Sequence, residues 1–121
     1  MKNSVNAPNI GRQAEDMAAR FLVEAGYVIQ ERNKRLAGGK LDIIAYDGPI
    51  LAFVEVKAGA ARSLEDCLAA IDANKRGRLA AAAEAYVAKH NINVACRFDV
   101  VVVDLSGDAP RYSLWRDAFR P

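Results

Sequence analysis

The sequence predicts an α/β domain, a mixed sheet of about five strands with helices packed on its faces. Three observations carry this expectation. Residues 10–25 and 72–90 repeat apolar side chains at helical spacing. Residues 39–57 form two apolar runs around a turn signal, the pattern of a β-hairpin. Residues 98–103 are apolar on both faces, as a strand covered from both sides should be.

Taken in order, residues 1–9 are polar around Pro8 and read as a flexible N-terminal arm, so the single domain is expected to span 10–121. From Ile10, the positions Ala14, Ala18, Phe21, Leu22 and Ala25 make one helix face, and Gly26 follows as a stop. Glu15 borders that buried face, whereas Asp16 and Glu24 point to solvent. Tyr27 to Arg32 suits a first strand, and Asn33 to Gly39 a basic connection. After the hairpin, Ala58 to Ser63 is a small-residue loop and Leu64 to Ile71 a short helical stretch. Asp72 or Asn74 can cap the next helix, whose stripe is Leu79, Ala82, Ala83, Tyr86 and Val87. Residues 98–103 then form the strongest strand. Arg111 to Trp115 forms a last, edge strand. Ala118 and Phe119 of the tail are expected to pack down.

Composition narrows the classes. The chain has 121 residues, 52% hydrophobic and 26% charged, which suits one domain with its own core. Its net charge of +2 argues for no particular partner. The distribution says more. Arg32, Lys34, Arg35 and Lys40 fall together with no acid between them, and Lys75, Arg76 and Arg78 form a second cluster. Each cluster alone is what a solvated face would show. Cys67 and Cys96 lack metal-ligand spacing and are expected to pack as small hydrophobes in a reducing compartment. Met1 to Asn9 has no apolar core of a signal peptide, and no run of 18 apolar residues exists, so the expected location is cytoplasmic with no membrane partner. There is no Gly-rich phosphate loop. No Ser-His-Asp or Cys-His constellation is visible, and the single histidine, His90, sits near a helix C-terminus.

The chemistry concentrates in the hairpin. In its second strand Phe53, Glu55 and Lys57 share a face, and in its first strand Asp42, Ile44 and Tyr46 do. A two- or four-residue loop at Gly48-Pro49 places Asp42 opposite Glu55, with Cβ atoms roughly 4.5–5.5 Å apart. A three-residue loop places Asp42 opposite Val54 and sends Glu55 to the other face. Like charges set opposite each other are destabilising, so the first register suggests that something binds there. Carboxylate oxygens suit a hard divalent cation such as Mg2+ or Mn2+. The competing arrangement is plain ion pairing, Asp42 with Lys40 and Glu55 with Lys57.

Asp42, twelve intervening residues, then Glu55-Val56-Lys57 resembles the signature of the PD-(D/E)XK nuclease superfamily. The whole chain after residue 10 resembles the YraN-like family of small uncharacterised bacterial proteins. The matching pieces are Gly11 to Glu15 with Ala18 and Ala19, Gly26-Tyr27, and Asn33 with Arg35. They continue through Gly39 to Ile44, Phe53 to Lys57, Lys75 with Arg78, Arg97 to Val100, and Ala118-Phe119.

This resemblance implies a restriction endonuclease-like core and a metal-dependent enzyme hydrolysing phosphodiester bonds in DNA, branched or single-stranded. It implies Asp42 and Glu55 as ligands of Mg2+ or Mn2+, Glu15 as an additional catalytic and metal-binding acid, and Lys57 as the residue acting on the attacking water or the phosphate. Arg32, Lys34, Arg35, Lys40, Lys75 and Arg78 would then contact nucleic acid, DNA rather than RNA. A homodimer would suit a two-strand substrate. The chain departs from the family in three places. Lys40 stands where the family has glutamate, Ala58 and Gly59 where it has an arginine, and Ala14 where it has glycine. Lys40 shares a face with Asp42 and could hold that carboxylate without metal. The alternative is therefore a catalytically weak nucleic-acid-binding module that keeps the fold.

Overall fold

The computed structural model describes residues 7–60 and 63–121. The elements run α1 (Ala7–Glu24), β1 (Val28–Leu36), β2 (Gly39–Asp47), β3 (Ile50–Ala58), α2 (Leu64–Ala69), α3 (Ala73–Lys89), β4 (Cys96–Asp104) and β5 (Arg111–Trp115). The five strands lie in one sheet in chain order, antiparallel throughout except for the parallel pair β3–β4. This is the expected mixed α/β architecture, consistent with a restriction endonuclease-like core. The parallel pair needs a long crossover, and α2 and α3 supply it.

Two apolar cores sandwich the sheet. On one face Ala14, Ala18 and Leu22 of α1 pack on Ile43, Ala52, Val54, Val101 and Val103. On the other, Leu79, Ala82, Ala83 and Tyr86 of α3, with Cys67 of α2, pack on Leu41, Ile44, Phe53, Val100 and Val102. The alternation along β3 and β4 divides their side chains between the two layers. Both helix N-caps follow from short polar side chains: Ser63 Oγ accepts from the Asp66 amide and Asp72 Oδ1 from the Lys75 amide.

Several boundaries differ from expectation. The helix begins at Ala7, so only residues 1–6 of the expected arm remain, and these lie outside the described residues, as do Ala61 and Arg62 of the small-residue loop. Strand β1 continues through Arg35 where a connection was expected. A two-residue turn at Ala37-Gly38 with φ of 51° and 80° reverses the chain there. Positive φ at both central positions is the type I′ hairpin turn, but Ala-Gly is a weaker signal of it than Asn-Gly. Cys67 is buried as expected, whereas Cys96 is exposed, because it opens β4 at the sheet's end.

The central hairpin adopts the two-residue register, pairing Asp47 with Ile50 and Ile43 with Val54. Gly48, at φ 60°, takes the first position of the turn, and proline's fixed φ near −65° suits the second. At its other end β2 is irregular. Leu41 and Ile44 lie in the same core although they are three residues apart, which strict alternation forbids. The pairing with β1 passes from Arg32–Ile43 to Lys34–Leu41, skipping Asn33 and Asp42. Asn33 carries a φ of 55°. The strand thus turns over at Asp42, the residue the site depends on.

Gly39 fixes how closely α3 approaches this end of the sheet. A Cβ there would overlap the Arg78 carbonyl oxygen and lie 3.2 Å from the Ala82 Cβ. Because backbone cannot give as a flexible side chain can, Gly39→Ala is expected to destabilise by about 1–3 kcal/mol. Thermal melting checks this: a drop of several degrees is expected, and an unchanged midpoint would show that α3 is not seated on Gly39.

Candidate functional site

The N-terminal halves of α1 and α3 and the β1–β2 hairpin end enclose a cleft of about 780 Å³. Its acids are Glu15 from α1, Asp42 from β2 and Glu55 from β3, and its cations are Arg12, Arg35, Lys40, Lys75 and Arg78. The first helix and the two strands of the central hairpin therefore bring the three predicted acids to one cavity.

Asp42 lies just beyond the last pair of the hairpin ladder, in the position opposite Glu55. Its Oδ2 accepts the Val56 amide at 2.9 Å. The carboxylate thus replaces a ladder partner, and β2 can turn over without leaving a buried N–H unsatisfied. Its Oδ1 is 3.4 Å from Lys40 Nζ, the pairing that strand spacing allowed. Glu55 is 4% exposed. Its partner is Lys75 of α3, not Lys57. Burial, then the neighbouring Asp42 charge and a hydrogen bond shared with it, push the Glu55 carboxyl from the ordinary 4.5 up to about 7. The Lys75 ammonium pulls the other way without reversing the shift.

Glu15 is also buried, held by Asn33 Nδ2 at 2.5 Å, Arg32 Nη2 at 3.4 Å and Lys40 Nζ at 3.9 Å. Lys40 therefore joins Glu15 to Asp42. Among the described residues no group of three or more His, Cys, Asp or Glu side chains converges closely enough to hold an ion. A protein-only metal cage is thus not formed. The donor chemistry nevertheless fits a magnesium-like ion. Such an ion takes one or two carboxylates and completes its shell with water or phosphate oxygens. The Asp42 charge, second to burial in raising the Glu55 carboxyl, is one that a cation would relieve.

The other predicted residues divide. Arg35, Lys40, Lys75 and Arg78 line the cleft, and Arg12, which no motif singled out, joins them. Arg12, Arg35 and Arg78 make no ion pair among the described residues. Arg32 is committed to Asp16 at 2.6 Å. Lys34 pairs with Glu31 at 3.6 Å. Lys57 does not line the cleft. It lies beside Lys75 and the Cys67 thiol, close enough to act on both electrostatically. The lysine that borders the cavity beside Glu55 is Lys75. Sequence periodicity placed Lys75 near the start of a helix but could not pair it with Glu55, because that contact is made across layers. Asn33 had the same difficulty: its tie to Glu15 crosses from β1 to α1, and its backbone is left-handed within the strand.

A second polar centre went unseen in the sequence. Asp99 of β4 is fully buried. It accepts from Tyr27 Oη at 2.7 Å, from Arg97 Nε at 2.7 Å and Nη2 at 2.8 Å, and from the Asp117 amide at 2.9 Å. Arg97 continues to Asp47 at 2.7 Å, and Arg116 also reaches Asp47 at 3.0 Å. This network sits by the Gly48 turn, at the opposite end of β2 and β3 from the cleft. Every polar group of Asp99 is satisfied within the protein, which is the arrangement of a structural anchor.

No helix among the described residues is long and apolar enough to cross a membrane. The model of the uncharacterised protein family UPF0102 matches residues 14–103, a span containing every acid of the cleft. The UPF0102 protein HEAR0176 of Herminiimonas arsenicoxydans is 37% identical, over 78% of this chain and 77% of its own. A UPF0102 protein of Clostridium perfringens is 37% identical over 93% of this chain and 94% of its own. One from Solibacter usitatus is 42% identical over 92% of this chain and 86% of its own. With relatives matched over most of both chains, and the YraN-like pattern present from the first helix to the tail, the protein belongs to the uncharacterised protein family UPF0102.

Proposed function

We propose that this protein is a divalent-metal-dependent phosphodiesterase of the endonuclease type, acting on DNA. One observation carries the reading. Two neighbouring carboxylates, Asp42 and Glu55, are buried against each other at a cleft bordered by five cationic side chains. A purely structural pair of acids has no need of an opening to solvent.

Asp42 and Glu55 would hold Mg2+ or Mn2+. The ion, when bound, supplies stabilisation of charge on the scissile phosphate and activation of the attacking water. Arg12, Arg35 and Arg78 carry guanidiniums free to take phosphate oxygens, and their planar forks suit bidentate contact. Glu15 and Asn33 position Lys40 and the β1 backbone beside Asp42. Substrate binding through such contacts weakens as salt rises.

The test is cleavage of end-labelled single-stranded, duplex and branched DNA with Mg2+ or Mn2+. Asp42→Ala and Glu55→Ala are each expected to lower the rate by at least about 100-fold. Unchanged activity in both variants overturns the assignment. The hold of Lys40 on both Asp42 and Glu15 favours a second reading, a DNA-binding module without turnover. Salt-sensitive DNA binding together with no cleavage and no calorimetric Mn2+ binding would select it.

A further inference from the structure

The two strand acids of the cleft each carry an ammonium group. Lys40 Nζ lies 3.4 Å from Asp42 and 3.9 Å from Glu15. Lys75 Nζ is paired with Glu55. Both lysine side chains remain more than a third exposed, 37% and 35%. Both line the open cavity rather than the core. They are therefore anchored at one end and able to swing toward solvent at the other, as long, flexible side chains with compact charges do.

We propose that Lys40 and Lys75 are internal counter-ions occupying the place of a divalent cation, and that metal entry releases both ammonium groups toward the phosphate chain of a substrate. The inference rests on the metal-dependent reading above and goes beyond it. It makes metal binding and polyanion binding mutually reinforcing, through named side chains.

The argument is electrostatic. An acid cannot give full attraction to two cations at once when both must sit against the same oxygens. A divalent ion at Asp42 and Glu55 repels an ammonium a few ångströms away, and the repulsion is strong where water is scarce. The displaced ammonium has only the cavity to enter. There it adds to Arg12, Arg35 and Arg78, which already make no ion pair among the described residues. A cleft that is self-neutralised when empty thus becomes strongly cationic when loaded. By linkage, a polyanion that draws Lys40 and Lys75 away from the carboxylates raises the affinity for metal by the same factor.

The test uses Mn2+ alone, titrated by calorimetry into the whole protein and into Lys40→Gln and Lys75→Gln. Glutamine keeps a hydrogen-bond donor for the carboxylate and removes the charge, and a thermal melt confirms that each variant is folded. Each variant is expected to bind Mn2+ about tenfold more tightly than the parent, equivalent to about 1.4 kcal/mol of lost competition. In parallel, anisotropy of a fluorescent phosphorothioate oligonucleotide is read with and without Mn2+. The parent is expected to bind several-fold more tightly with Mn2+, and the Lys40→Gln/Lys75→Gln double variant to lose that gain. Binding of Mn2+ by the variants but not by the parent supports the proposal equally. If parent and variants bind Mn2+ with the same affinity, or the variants bind it more weakly, the counter-ion role is overturned while the metal-dependent reading stands. Absence of Mn2+ binding in all three proteins overturns both.

Discussion

Asp99→Ala is expected to destabilise the domain by about 3–5 kcal/mol, the cost of leaving a buried cation and its neighbours unpaired. The carboxylate is the hub for Tyr27, Arg97 and the Asp117 amide. Its removal orphans the Asp117 amide and takes from Tyr27 and Arg97 their shortest shared partner. The Arg97 side chain, 14% exposed, cannot reach bulk water in place of its partner. Asp47 would keep one hold on it, which limits the loss. Tyr27 reports on the same centre. Burial first, then the bond to Asp99, holds its phenol well above the ordinary range. A domain of this size has only about 5–15 kcal/mol to lose, so the urea midpoint should fall sharply. A shift below about 1 kcal/mol would show that Asp99 is not the anchor its contacts indicate.

Glu55→Gln is expected to stabilise the protein increasingly as pH rises above about 4.5, with the full gain reached above about 7. The folded carboxyl titrates at about 7 against an ordinary 4.5. Between those values the folded chain binds more protons than the unfolded one, so the parent's stability falls as pH rises. The contribution is whole below about pH 4.5 and is lost as pH climbs through 7. Glutamine has no such loss. The gain at pH 8 is up to about 3 kcal/mol, reduced because Lys75 surrenders its partner. Urea unfolding of both proteins from pH 4 to 8.5 checks the sign. If the two curves run parallel across that range, Glu55 is not held in the strained state described. Such a gain would be the usual mark of a side chain kept for use rather than for stability.

Much of this molecule was legible beforehand because local rules governed it. The Gly48-Pro49 turn set the hairpin register, and the register set Asp42 beside Glu55. Helical spacing placed Ala14, Ala18 and Leu22 on the buried face of α1, with Glu15 at its border. Strand β4 read correctly as covered on both faces. What escaped was decided between layers. Glu55 had Lys57 two residues away on its own strand face, and only packing could show that Lys75 reaches it first. Asp99 drew no notice within an apolar strand, since of its three partners only Arg97 is on the same strand, while Tyr27 and the Asp117 amide come from distant parts of the chain. The turning over of β2 at Asp42 was invisible because alternation alone does not report where a strand becomes irregular, and the left-handed Asn33 beside it lies on the neighbouring strand. Cys96 was misjudged for a simpler reason: alternation does not say where a strand emerges from its neighbours.

The single parallel seam of the sheet has a consequence for how the protein assembles. Strands β1 to β3 form a meander whose contacts are all local, and β4 with β5 a second hairpin. Joining them along β3–β4 requires closing the whole α2–α3 connection, an entropic hurdle that short-range pairing does not meet. The meander can therefore form ahead of that closure, and it already contains both Asp42 and Glu55. Lys75 arrives only with the connection. In any order of events that pairs the meander first, the two acids face each other before the amine, and docking of α3 is favoured by charge as well as by apolar burial.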